Sequence, residues 1–227
     1  MCGRFTLSTP AQILAELFNL EKFPKIVENY NIAPTQVISV VLEDRESKER
    51  HPFPCVWGLI PFWAKDPKIG AKLINARGET VAEKPSFRAA YKYRRCLVPA
   101  DGFYEWKRAQ DLKSKKQPYY FYMKRGVPFA MAGLWETWEK QPGAFITTFT
   151  IITTEANEVI KPIHPRMPVI LTPKDFKEWL DPENTKPSPR LLQPLPSTEM
   201  EAHPVSHSVN NIQNNDENCV KPVTLVE

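Results

Sequence analysis

The residue best suited to unusual chemistry is Cys2, which directly follows the initiator methionine. Small second side chains generally permit removal of Met1, and Cys2 then carries a free α-amine and a thiol on adjacent carbons. Both groups can attack one carbonyl carbon and close a five-membered thiazolidine ring, which no internal residue can do. The α-amine titrates at about 7.7 to 8.0, against about 10.4 for lysine, so part of it is neutral and nucleophilic near neutrality. A second-position cysteine can equally be an accident on a frayed terminus. The rest of the chain must decide.

Three further positions stand out from an apolar background. Asn75 sits in Leu73-Ile74-Asn75-Ala76-Arg77-Gly78-Glu79, where strand alternation puts Asn75, Arg77 and Glu79 on one face. An amide, a guanidinium and a carboxylate there can form a site or a structural hydrogen-bond network. Glu105 follows a turn signal in Ala100-Asp101-Gly102-Phe103-Tyr104-Glu105-Trp106. Between Tyr104 and Trp106 its carboxyl is expected to be partly desolvated, which raises its pKa toward the range useful for general acid or base work. The alternative is a surface glutamate paired with Lys107. His164, in Ile163-His164-Pro165-Arg166-Met167-Pro168, titrates near neutrality and can pass protons, or simply hydrogen-bonds within its loop.

These residues need a scaffold, and the pattern predicts one rich in strands. Thr9 as N-cap, Pro10 at the first helical position and Gln12 three after the cap predict a helix whose core stripe is Ile13, Leu14, Leu17 and Phe18. The stretch before Pro34 is extended, because the residue before proline is pushed out of the helical region. Residues 37–42 and 53–59 read as strands around a charged turn. The second runs into Pro61-Phe62-Trp63-Ala64-Lys65, where one ring is expected to pack and the other to meet nucleobases. Runs at 119–123, 129–135 and 145–153 suggest an antiparallel meander. A helix over 156–160 is expected before His164, and a second capped helix at Thr172-Pro173 with Phe176, Trp179 and Leu180 as its stripe. Residues 181–198 are proline-rich, with one helical turn near Leu191, and 212–227 read as a partly mobile tail. The expected fold is α+β: one domain over 1–227 with a mainly antiparallel β core of curved, barrel-like sheets and peripheral helices.

Composition narrows the function. The 227 residues, 42% hydrophobic, can bury a real core. No apolar run approaches the ~20 residues that cross a bilayer, so no membrane partner is expected and a soluble, intracellular protein is. Cys2, Cys55, Cys96 and Cys219 lie far apart without a CxxC pair, which argues against a zinc knuckle and a disulfide framework. No metal and no cofactor are expected. Net charge is only +4, yet residues 61–100 hold nine Lys or Arg and three acids. Such a local basic field suits a polyanion such as nucleic acid, or is simply a solvated charged face.

Seven ordered blocks complete the reading: Met1-Cys2-Gly3-Arg4-Phe5, Tyr30-Asn31-Ile32-Ala33-Pro34, Trp57-Gly58-Leu59-Ile60-Pro61, Ile74-Asn75-Ala76-Arg77, Asp101-Gly102-Phe103-Tyr104-Glu105-Trp106, Ile163-His164-Pro165-Arg166-Met167-Pro168 and His203-Pro204-Val205-Ser206. Through them the chain resembles the SOS response-associated peptidase (SRAP) family, the abasic-site processing proteins, over nearly its full length. The resemblance implies a protein of the DNA-damage response that binds single-stranded DNA at an abasic site and captures the ring-opened deoxyribose on its N-terminal cysteine. It makes Cys2 the nucleophile, has Asn75 and His164 shape the pocket, and gives proton handling to Glu105. Arg4, Arg77 and Arg166 would grip phosphates, Phe62 and Trp63 match the family's aromatic wedge loosely, and Trp106 joins the DNA contacts. A monomer is expected, cytoplasmic and nucleoid-associated when on DNA, with lyase-like Schiff-base chemistry and peptidase activity limited to self-processing. Two competing readings are a cysteine-type N-terminal nucleophile hydrolase, and a non-catalytic single-stranded DNA-binding module in which Cys2 is incidental.

Overall fold

Short runs of β-branched and aromatic residues become thirteen strands among the described residues, 2–107 and 115–225, of the computed structural model. In chain order these are β1 (Phe5–Leu7), β2 (Asn29–Ile32), β3 (Val37–Glu43), β4 (Arg50–Trp57), β5 (Asn75–Arg77), β6 (Arg95–Ala100), β7 (Gly102–Lys107), β8 (Gln117–Met123), β9 (Phe129–Gln141), β10 (Ala144–Glu155), β11 (Arg166–Pro168), β12 (Ile170–Leu171) and β13 (Met200–Pro204). Helix α1 (Ala11–Phe18) follows β1, α2 (Arg88–Tyr93) precedes β6 and α3 (Phe176–Leu180) follows β12.

Two sheets share one core. In the larger, β10 pairs with β4, β4 with β3, β3 with β6, β6 with β9 and β9 again with β10, so five strands close a ring. Closure removes the edges that an open sheet exposes. The second sheet is antiparallel in the order β13-β8-β7-β1-β2. Only Asp101 separates β6 of the ring from β7 of the second sheet. Its carboxylate accepts from the backbone N–H and hydroxyl of both Ser8 and Thr9, which ties the switch point to the end of β1. Phe5 on β1 is fully buried, edge-on to Trp57 at 5.1 Å, and joins the two sheets. A ring buried this completely contributes about 1.5–3 kcal/mol.

The α+β architecture with its barrel-like, mainly antiparallel core is borne out, with two parallel pairings, β10 with β4 and with β5. Local details differ. Thr9 does not cap α1: its hydroxyl serves Asp101, and the Pro10 carbonyl accepts the first helical N–H groups, from Ile13 and Leu14. Ile13 is exposed, leaving Leu14 and Phe18 as the buried face. Residues 156–160 form turns rather than a helix, because the buried Asn157 side chain accepts from Val159 and Ile160 and donates to Leu195 O. A local side-chain acceptor of this kind competes with helical bonding. The stretch after 212 packs back on the body: Cys219 is buried, the His203 ring lies 2.7 Å from Val220 O, and Val205 bridges Pro222. Residues 226–227 of the expected tail, and Met1, lie outside the described residues.

The basic segment is not one surface field. Arg95 is buried, and its five N–H groups all reach main-chain carbonyls: Tyr91 and Lys92 at the end of α2, and Trp179, Asp181 and Asn184 at and beyond the end of α3. One guanidinium therefore closes the C-terminal ends of two short helices that could not stand alone. Arg94 is paired with Glu136 at 2.7 Å. Removing Arg95 strands several buried carbonyls at once. Arg95→Ala is expected to cost about 3 kcal/mol or more in urea unfolding, whereas Arg88→Ala on the exposed face should change stability by less than about 0.5 kcal/mol.

Candidate active site

The register of β1 against β7 sets the first half of the site. Phe5 stands opposite Phe103, and the Tyr104 N–H donates to Arg4 O at 3.0 Å, so residues 2–4 run back alongside 104–106. Cys2 is fully buried, with its Sγ 3.9 Å from Arg4 O. Arg4 is held by Asn31 Oδ1 at 3.0 Å and Val209 O at 2.8 Å. Asn31 in turn donates to the carbonyls of Val209, Asn211 and Asn214. The C-terminal segment thereby clamps Arg4, between Cys2 and β1.

Glu105, on β7, is only 3% exposed. Burial raises its pKa above the ordinary carboxylate range, opposed in part by the charge of His164. Burial also pushes the Cys2 thiol far up, and the Glu105 charge adds to that shift, so the thiol is held neutral beside a carboxyl that itself resists ionisation.

His164 comes from the larger sheet. Its Nδ1 lies 3.7 Å from Glu105 Oε1 and 3.1 Å from the Arg166 N–H, with the Arg166 carbonyl at 3.0 Å. Nδ1 can accept from that N–H when bare and donate to the Arg166 carbonyl when protonated, and at 3.7 Å it lies within ion-pair range of the carboxyl. Strands β5 and β11 flank β10, with Arg77 and Pro168 both opposite Thr153. Asn75 lies on β5 with its Nδ2 donating to Ile74 O at 2.8 Å, while its Oδ1 is buried with no hydrogen-bond donor among the described residues. That oxygen is an open acceptor. The same Ile74 carbonyl receives the Trp57 indole, which links β5 to the Phe5 contact.

The predicted DNA contacts fall into two groups. Arg77 is exposed, and Phe62 and Trp63 are 61% and 48% exposed. Neither ring packs as expected; the indole beneath their loop is Trp138, bonded to Ala64 O at 2.7 Å in a small cluster with Ile60. The loop is pinned where it leaves and rejoins the ring. A Cβ on Gly58, whose φ is +125°, would sit 2.8 Å from Gly70 O, and one on Gly70 would sit 2.7 Å from Gly58 O. Only glycines allow that approach. Lys65, Lys68 and Lys72 border a cleft of about 250 Å³ beside Trp63. Arg4, Arg166 and Trp106 are instead engaged within the protein: Arg166 with Glu79, and the Trp106 indole with Asn210 Oδ1 at 2.7 Å. Asn31 and Glu79 also bear on the site: from sequence Glu79 shares a face with Asn75 and Arg77 and Asn31 stands in the Tyr30-Asn31-Ile32-Ala33-Pro34 block, but neither receives a role of its own. No local pattern shows what Asn31 holds, because its partners Arg4 and Val209 lie 27 and 178 residues away in the chain.

The family model for SOS response associated peptidase (SRAP) matches residues 1–212. The chain belongs to this family. It is 47% identical over 226 residues to the abasic site processing protein YoqW of Bacillus subtilis strain 168, covering 97% of this chain and 99% of that one. Against the abasic site processing protein HMCES of Rattus norvegicus it is 32% identical over 275 residues, covering 100% of this chain and 77% of that one. A crystal structure of a Bacteroides thetaiotaomicron protein superimposes with a TM-score of 0.85 at 30% identity, covering 98% and 100% of the two chains. Among the described residues no group of three or more His, Cys, Asp and Glu could hold a metal ion, and no helix is long and apolar enough to cross a membrane. All four cysteines are free.

The raised Glu105 pKa has a testable consequence. The native chain holds this proton more tightly than the unfolded chain does, so Glu105 subtracts stability as pH rises above the ordinary carboxylate range. Glu105→Gln should therefore melt at or above the wild type at about pH 7, with the gap closing toward about pH 4. Thermal melts across that range check it. A variant that melts below the wild type at neutrality would make the ionised carboxylate a net stabiliser.

Proposed function

We propose that this protein processes abasic sites in single-stranded DNA by forming a covalent thiazolidine between mature Cys2 and the ring-opened deoxyribose, shielding the lesion. The observation that carries the reading is the Cys2, Glu105 and His164 cluster, a buried thiol beside a buried acid that lies 3.7 Å from an imidazole. The names of the YoqW and HMCES relatives supply the substrate.

The steps follow from the groups. Glu105 or His164 takes the proton of the sugar's C1′ hydroxyl and returns one to the ring oxygen, which opens the hemiacetal to an aldehyde. The α-amine of Cys2, exposed once Met1 is gone, adds to C1′, and loss of water leaves an imine. The sulfur then bonds to the imine carbon while the S–H proton passes through Glu105 or His164 to the nitrogen, completing the ring. An imine left open would promote β-elimination and break the strand, so the thiol converts lyase chemistry into protection. The open acceptor on Asn75 suits a sugar hydroxyl. Exposed Phe62 and Trp63 suit unstacked bases, and Lys65, Lys68, Lys72 and Arg77 suit phosphates. The hydrolase reading has less support, because a thiolate nucleophile is disfavoured by burial and by the Glu105 charge.

Incubation with abasic single-stranded oligonucleotide should give a denaturation-resistant adduct, with intact mass reporting both loss of Met1 and gain of the DNA minus one water. Cys2→Ser, Cys2→Ala or an added N-terminal residue should abolish the adduct. Survival of the cross-link in any of the three removes the mechanism. Affinity should fall with salt at a log–log slope of about 0.7 per phosphate neutralised.

A further inference from the structure

Glu79 is the one member of the Asn75, Arg77 and Glu79 face to which the proposed chemistry gives no role, and it holds the most directional ion pair at the site. Its two carboxylate oxygens face the Arg166 fork, at 2.5 Å from Nη1 and 2.9 Å from Nη2. Nη2 also donates to Thr153 O at 2.7 Å, and Nε is buried with no acceptor among the described residues. Arg166 is thus anchored by the backbone of β10, with a side chain 18% exposed, whereas the Glu79 side chain is 46% exposed. The carboxylate is the member of the pair that can leave.

We propose that Glu79 is an internal stand-in for a DNA backbone phosphate: it occupies the phosphate-binding fork of Arg166 in the free protein and is exchanged for a strand phosphate on binding. The inference rests on the DNA reading above. Carboxylate and phosphate both offer two oxygens that match the planar guanidinium edge, so one can replace the other there. Arg77, exposed and two residues before Glu79, draws phosphates into the same region, where a phosphate and Glu79 repel. The Glu79 carboxyl sits below its ordinary pKa, chiefly through the hydrogen bond from Arg166, so it remains charged at neutrality and competes in full. Until DNA arrives, the pair keeps the guanidinium from other anions and holds residue 166, whose N–H faces His164 Nδ1. Glu79 therefore acts through Arg166, as a positioning residue that sets the affinity for every strand alike.

A double-mutant cycle tests the exchange, read by fluorescence anisotropy with a single-stranded oligonucleotide carrying a tetrahydrofuran abasic analogue, which lacks the aldehyde and reports binding alone. Glu79→Gln should tighten binding by about twofold to fivefold, the range over which exposed ion pairs couple. It should also steepen the salt slope by up to about 0.7, because the wild-type complex leaves a bare carboxylate that takes up a cation. Both effects should shrink in the Arg166→Ala background and in Arg166→Lys, which keeps the charge and loses the fork. An equal gain in all backgrounds reduces Glu79 to a distant negative charge and overturns the exchange while leaving the DNA reading intact. So does weaker binding by Glu79→Gln in the presence of Arg166. A wild type that binds no single-stranded DNA overturns the DNA reading and the exchange with it.

Discussion

Everything at the site depends on the pairing of two short strands. Because Phe5 stands opposite Phe103, the three residues before β1 are carried along β7 to the one acidic side chain that the second sheet buries there. A slip of one residue would turn Glu105 to the other face of the sheet and bring the Tyr104 or Trp106 side chain to the terminus instead. The fold fixes that register from both ends. Asp101 ties Ser8 and Thr9 to the switch between sheets, and Arg4 with Asn31 ties the other end to the C-terminal segment.

The closed ring supplies the other half. His164, Asn75 and Arg77 come from strands beside β10 or from the loop that leads into one of them, and His164 meets Glu105 across the boundary between the two sheets. A site at a junction is rigid only if the junction is packed. Here Trp57 does the packing, with its ring face against Phe149, its edge contact to Phe5 and its N–H on the carbonyl of Ile74. The loop with Phe62 and Trp63 is set on the same strand ends, because Gly58 lies directly after Trp57 and its N–H donates to Phe149 O at 2.8 Å. Exposed aromatics are thus presented from a fixed base, which suits stacking on unpaired bases better than a free loop would.

What was legible in the sequence was whatever periodicity and local flanking encode. Apolar and β-branched runs gave β3, β8 and β10 nearly in place and the first half of β9, and the rings of Tyr104 and Trp106 correctly implied a desolvated Glu105. Long-range pairings were not legible. Ring closure needs β10 to lie parallel to β4, about ninety residues away in the chain, and no local pattern announces it. Arg166 and Glu79 meet across 87 residues, so each reads alone as a surface charge. Arg95 is the sharpest case: in a run of cations it looks like its neighbours, and only the folded chain reveals that five carbonyls surround it. Thr9 failed as a cap for a related reason, since its hydroxyl donates to a carboxylate 92 residues away and the cap position falls to Pro10.

The burial of Cys2 also bears on the order of events. A free cysteine at a chain terminus would ionise near pH 8.5 and could attack as thiolate before its amine did. Here desolvation and the neighbouring carboxyl hold the sulfur as a neutral thiol, a weak nucleophile but one that carries its own proton. On the proposed pathway that favours the amine as the first attacker, with the sulfur adding only once an electrophilic imine lies beside it. The S–H proton would then pass to the nitrogen, which needs one proton to finish the ring, by way of the Glu105 and His164 pair. Burial that would cripple a cysteine protease is therefore compatible with the proposed chemistry, and it also keeps an exposed, oxidisable thiolate from forming in the free protein. On the proposed pathway the position of Cys2 directly after Met1 and its burial beside β7 serve together: the amine would start the capture, and the thiol would end it.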